Sequence, residues 1–211
     1  GIKALCKIFD AEAERSSSTA GEEIVSEQML EEFDDPEIIQ ALANTLRIKC
    51  KDKAWGGDLY QKYYKIAESI LLALNDRALV PLINAWGASD YEVRNRVFPL
   101  IRNLIENRVD INPVDLIISS LGDMYRESRA NLGTILDLPA VRSEFEHVDD
   151  KSAEHFVGFV FSDKYKTSDA STVEIFTKRL GSKVVKPLIR KLSVKKHSTR
   201  IKAAEILGHV P

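Results

Sequence analysis

A chain of 211 residues, 44% hydrophobic and 29% charged, can form one large domain or a linear array of small units, and this composition excludes a disordered chain. A formal net charge of -2 gives no case for a protein that binds polyanions over its whole surface. No apolar run approaches the roughly 18 residues of a membrane-spanning helix, so no membrane association is expected. Cys6 and Cys50 match no metal spacing and build no disulfide framework, which points to a reducing, cytoplasmic setting. The start, Gly1-Ile2-Lys3, has neither an initiator Met nor the core of a signal peptide, and Pro211 directly follows a helical pattern. The chain therefore reads as a piece of a longer protein.

Taken in chain order, the pattern is helical almost throughout. After a break at 16–21, Ile24, Val25, Leu30 and Phe33 precede Asp35-Pro36-Glu37, a cap followed by a proline whose missing N–H does no harm there. A second break at 51–57 leads to Asp58 and to the 3/4 spacing of Ile66, Ile70, Leu71 and Leu74. Asp76 opens the next element, and Ser89 with Glu92 forms a capping box ahead of Val97, Leu100, Ile101, Leu104 and Ile105. Asn112 caps a helix after the break at 107–112, and Leu138-Pro139 and 167–171 mark further breaks. The run at 156–161 is the only stretch where a strand competes, and its flanks favour helix. Ser182 and Ser198 stand at the starts of the last two helices. About ten or eleven helices of roughly 10 to 18 residues are expected.

The chain also repeats itself. At a shift of 106 residues, Asp76 falls on Ser182, Pro81 on Pro187, Leu82 on Leu188 and Ile83 on Ile189. The same shift superposes Trp86 on Leu192, Arg94 on Arg200, Leu100 on Ile206 and Ile101 on Leu207. A weaker copy begins at Pro113 with Arg126 thirteen residues later, and another covers residues 22–50, with Ile39 where the arginine should stand. A proline in the second turn deletes one backbone hydrogen bond and bends the helix. The arginine near the second helix's start can pair with acidic groups in a neighbouring turn. Ala203 and Ala204 allow close helix approach.

This organisation resembles HEAT repeats, and "RIKAAEILG" resembles the HEAT-like form of phycobilisome-lyase-type proteins, best over residues 76–107 and 182–210. The resemblance implies an all-α, right-handed solenoid (α-α superhelix) of irregular helical hairpins running through residues 1–211 as a single domain. It makes Pro81, Arg94, Pro187 and Arg200 structural repeat positions. Lys196 stands where the family has an aspartate between its helices. Residues 138–180 fall outside the repeat and carry Phe145, Phe156, Phe159, Phe161, Tyr165 and Phe176, which either fill a gap between irregular repeats or anchor a partner.

Candidate chemistry is sparse. No GxSxG, P-loop, dinucleotide or HExxH pattern is present, and nothing calls for a catalytic residue or a cofactor. Glu146-His147 and Glu154-His155, with Asp149 and Asp150 between them, invite a metal. A spacing of eight, however, turns the histidines about 80° apart on a helix, and surface histidines are the better reading. Trp55, Tyr60, Tyr63 and Tyr64, beside Lys62 and Lys65, read as a helix face against its neighbour rather than a base-stacking platform.

Charge asymmetry is the strongest remaining feature. Residues 1–60 hold 7 Lys/Arg against 13 Asp/Glu, whereas residues 178–202 hold 10 Lys/Arg and no acid. With Val184, Val185, Leu188, Ile189 and Leu192 facing inward, Lys183, Lys186, Arg190 and Lys191 are expected outside, extended by Lys195 and Lys196. This surface is solvated or paired with a following repeat, docks an acidic protein segment, or contacts a phosphate backbone. The reading is a non-catalytic protein-interaction scaffold, with a nucleic-acid-binding solenoid using residues 183–196 as the alternative. DNA glycosylases with HEAT-like solenoids spread their basic surface over several repeats, unlike this acidic first half. A bilin-lyase accessory role ranks behind both.

Overall fold

The computed structural model describes residues 35–46, 57–87, 91–107, 112–165 and 169–211, with the backbone alone at 57–63 and 91–92. Every regular element among them is helical. Residues 22–34 and 47–50 of the weak copy, both cysteines, the Ser89 side of the capping box, and the side chains of Trp55, Tyr60 and Tyr63 lie outside the described residues. Two compact units divide the chain, Gly1–Arg108 and Val109–Pro211, at the break that precedes Asn112.

In the first unit, α1 (Pro36–Thr45) starts as its residues dictate: Asp35 accepts the Glu37 N–H at 2.8 Å and Pro36 occupies the first turn. Helix α2 (Gly57–Ala73) buries Ile66, Ala67, Ile70 and Leu71, the one stripe its spacing defines. Helix α3 (Asp76–Gly87) is buried from Ala78 to Gly87 except at Val80, because it packs on both α1 and α4 (Tyr91–Asn107). Pro81 lies inside α3 and Pro99 inside α4. Asn84, 5% exposed, donates to Gln40 Oε1 at 3.1 Å, and Gln40 Nε2 reaches the Pro81 carbonyl at 3.2 Å. A buried amide left without such partners would cost more than the bond itself contributes.

The second unit opens with α5 (Pro113–Ser120), capped by Asn112, whose side chain accepts from Val114 N–H at 2.8 Å and donates to the Glu144 carbonyl at 2.9 Å. Short helices α6 (Arg126–Asn131), α7 (Gly133–Leu136) and α8 (Pro139–Glu144) follow, then the 3-10 turn Phe145–His147. Helix α9 (Asp150–Val160) covers α5, and α10 (Ala170–Leu180) packs on α6 and α7. The run at 156–161 is helical through Val160, as its flanks required, with Phe161 as the C-cap. Within residues 138–180, Phe145, Phe156, Phe159 and Phe176 are buried, with Phe176 5.7 Å from Phe145 and 5.3 Å from Phe156 between ring centroids. These rings fill the core; they form no exposed anchor.

The last hairpin departs from expectation at its start. The segment Gly181–Val184 winds as a 3-10 turn, with Gly181 at φ +52°, and the α-helix α11 begins only at Val185 and runs to Leu192. Pro187 falls in the first turn of this helix, where its missing N–H leaves no hydrogen bond unmade, whereas the equivalent Pro81 lies inside a helix that begins at Asp76. Ser182 makes no cap. Helix α12 (His197–Leu207) likewise begins at His197 after Lys196, with no side-chain cap, so Ser198 is not one either. Helices α11 and α12 pack against each other, and α9 packs on α11. No helix among the described residues is long and apolar enough to cross a membrane.

Candidate partner-binding surface

Half of the six cations expected on the basic surface are engaged by other groups of the chain. Lys183 is half-buried, and its ammonium donates to the carbonyls of Phe145, Glu146 and Val148 at 3.3, 2.8 and 2.7 Å. Those carbonyls lie at the end of a 3-10 turn, and the lysine closes that end. The expectation that Lys183 faces outward as part of the positive surface is corrected by that contact. Arg179 does the same for α7, bonding the Leu136 carbonyl and Asp137. With Arg142 on its other side, this guanidinium holds the Asp137 carboxyl below its usual range.

Lys202 repeats the device at the end of α9. Its ammonium donates to the Val160 carbonyl and lies 3.4 Å from the Tyr165 ring centroid and 5.4 Å from that of Phe161. Burial lowers its pKa, with Asp169 and Glu205 pulling the other way. Lys191 stands 5.5 Å from the Phe161 centroid, and Arg190 pairs with Glu154 at 2.6 Å with both side chains more than half exposed. Arg200 donates to Val194 and Lys195 carbonyls at 3.1 and 2.7 Å, in the turn of its own hairpin rather than to an acid of a neighbouring one. Arg94 makes no ion pair among the described residues, and its Nε is buried without a partner there.

Three predicted site residues remain outward: Lys186, Lys195 and Lys196 are exposed and make no ion pair among the described residues. They stand beside apolar side chains that burial should have removed from water. Ile189, expected inward, is 52% exposed, Val194 38% and Ile201 46%. These are three of the four exposed large hydrophobics among the described residues, the other being Tyr125. The inward positions of the hairpin are Val184, Pro187, Leu188, Ala203 and Ile206. Ile189 lies about 100° round the helix from Leu188 and looks away from that core.

Two of the acidic residues at 146–155 serve structure, and His147 and His155 are exposed. Asp149 caps α9 by accepting the Ser152 N–H at 2.6 Å, which lowers its pKa, and Glu154 holds Arg190. No group of three or more His, Cys, Asp or Glu side chains that could hold a metal stands together among the described residues.

One polar centre was missed by the sequence reading. Arg129, 5% exposed, binds Asp169, 0% exposed, at 3.2 Å, and donates to the Met124 carbonyl at 2.7 Å and the Lys164 carbonyl at 3.3 Å. Its guanidinium also lies 5.5 Å from the Phe159 centroid, and Thr172 donates to its carbonyl at 2.6 Å. Arg126, which the weak repeat copy singled out, is exposed. Nothing in the local pattern distinguishes the two arginines, since the partner that selects Arg129 is forty residues away. No family model, curated protein or solved structure matches this chain.

Proposed function

We propose that this chain is a non-catalytic protein-interaction scaffold, an α-solenoid built of irregular HEAT-like helix pairs and acting in the cytoplasm. The observation that carries the interaction reading is the apolar, cationic outer face of the α11–α12 hairpin, with Ile189, Val194 and Ile201 in water. Exposed apolar groups of this kind on an ordered helix pair are what a partner interface uses.

Supporting the repeat reading is the spacing of long-range polar contacts within each unit. Gln40 and Pro81 are 41 residues apart, Asp123 and Lys164 41, Arg129 and Asp169 40, Asp137 and Arg179 42, and Val160 and Lys202 42. The full range, from 32 residues for Asn112 and Glu144 to 44 for Gln40 and Asn84, surrounds the length of one HEAT-type unit.

The nucleic-acid alternative is favoured only by the three outward lysines. Neutralising three phosphates gives a salt slope of about -2.7, or roughly 40-fold weaker binding between 50 and 200 mM salt, from an already modest affinity. Fluorescence anisotropy with mixed-sequence DNA and RNA checks this directly. The expected result is no saturable binding at physiological salt. Tight binding abolished by Lys186→Glu/Lys195→Glu/Lys196→Glu would replace the scaffold reading. The scaffold reading itself is tested by affinity capture with quantitative mass spectrometry: stoichiometric protein recovery supports it, and recovery of none overturns it.

A further inference from the structure

We infer that the outer face of the α11–α12 hairpin docks the apolar side of an acidic amphipathic helix, an inference that rests on the scaffold reading and names its site and partner class. Three observations carry it. First, the apolar side chains are placed on both helices and the turn. Ile189 precedes Lys195 by six residues and Ile201 follows it by six, so antiparallel packing sets them at one level of the hairpin. Two packed helices leave a groove between them along which a third helix can lie.

Second, Ile201 is not an exposed remnant of the repeat pattern. Under the 106-residue shift its counterpart is Asn95, which is exposed in its own helix pair. The earlier pair puts a polar residue where the last pair puts isoleucine. The hairpin has therefore acquired an apolar group at a position that repeat packing leaves in water.

Third, the charge beside Ile189 and Val194 is cationic. Lys186 lies three positions before Ile189 on the same side of α11, and Lys195 and Lys196 adjoin Val194 in the turn. Residues 178–202 contain no acid, and the exposed Glu205, one turn beyond Ile201 on the same side of α12, bounds the cationic region at its far end. Glu154 is taken by Arg190. A docking helix with apolar residues at i, i+3, i+4 and i+7 and carboxylates flanking them matches the face in both respects. A phosphate backbone would use the lysines and leave the isoleucines without a role. An anionic bilayer would find no aromatic or leucine belt here.

The test is a titration of the full chain into a fluorescein-labelled helical peptide of about 16 residues, with leucine at that spacing and glutamate elsewhere. Saturable binding is expected, weakened about tenfold or more by Ile189→Ser/Ile201→Ser and by Lys186→Glu/Lys195→Glu/Lys196→Glu, and several-fold by raising salt from 50 to 200 mM. These positions are exposed, so circular dichroism melting of each variant should match the parent. A peptide that fails to saturate at 0.5 mM, or binds both variants as well as the parent, overturns the inference. So does a preference of the same face for single-stranded DNA, for phosphatidylserine vesicles, or for a second copy of the chain in sedimentation velocity. If affinity capture retains a partner that the double isoleucine variant also retains, the scaffold stands and this site falls; if nothing is captured, both fall.

Discussion

The two best-matched repeat copies place equivalent residues in opposite surroundings. Ile83 is 0% exposed and its counterpart Ile189 is 52% exposed; Trp86 is buried where Leu192 is half-buried, and Ile101 is buried where Leu207 is half-buried. The helix-to-helix seam, by contrast, is preserved, with Leu100 at 5% and Ile206 at 6%. A repeat sequence thus specifies the contact inside its own helix pair. The burial of its outer side chains depends on what lies beyond that pair.

The largest expected effect sharpens the role of long-range ties that the linear pattern does not show. Arg129→Leu removes the guanidinium that pairs with the buried Asp169 at 3.2 Å and should cost about 3–5 kcal/mol in urea unfolding. Arg129→Leu combined with Asp169→Leu should recover part of that loss, because no buried charge remains. A loss below about 1 kcal/mol for the single variant would mean that Asp169 gains solvent on substitution.

Next comes the comparison itself. Ile83→Ala should cost about 2–5 kcal/mol through lost burial and a cavity, whereas Ile189→Ala should stay within about 0.5 kcal/mol. Equal costs in denaturant titrations would break the distinction between a covered and an uncovered repeat.

The smallest effect concerns the carboxylate that anchors Arg179. The Asp137 pKa is depressed, first by the Arg179 hydrogen bond and then by that of Arg142. Its contribution is therefore present above the unfolded carboxylate range near pH 4 and is lost as pH falls through the lower folded value. Because the side chain is 56% exposed, the amount is below about 1 kcal/mol. Asp137→Asn should lower the unfolding midpoint slightly at pH 6, with the gap narrowing as pH falls below about 4.

Much of the local structure was legible because its causes are local. Asp35 and Asn112 cap the helices they precede, Pro36, Pro113 and Pro139 stand in first turns, and the 3/4 apolar spacing of α2 and α4 marks their buried stripes. The candidate site was legible only in part. The lysine and arginine run was visible, but a count of charges says nothing about which ammonium groups close carbonyl ends. Lys183 and Lys202 do so through contacts 35 to 42 residues distant.

The helical character of the described residues, the caps at Asp35 and Asn112 and the pairing of helices through a short turn were determined by the sequence alone, since each depends on residues within one or two turns of one another. Tertiary structure decided that Arg129 rather than Arg126 is buried, that Lys183 turns inward, and that Ile83 is covered while Ile189 meets water. Those outcomes depend on groups that folding brings together, and a side chain's burial is a property of its neighbours in space.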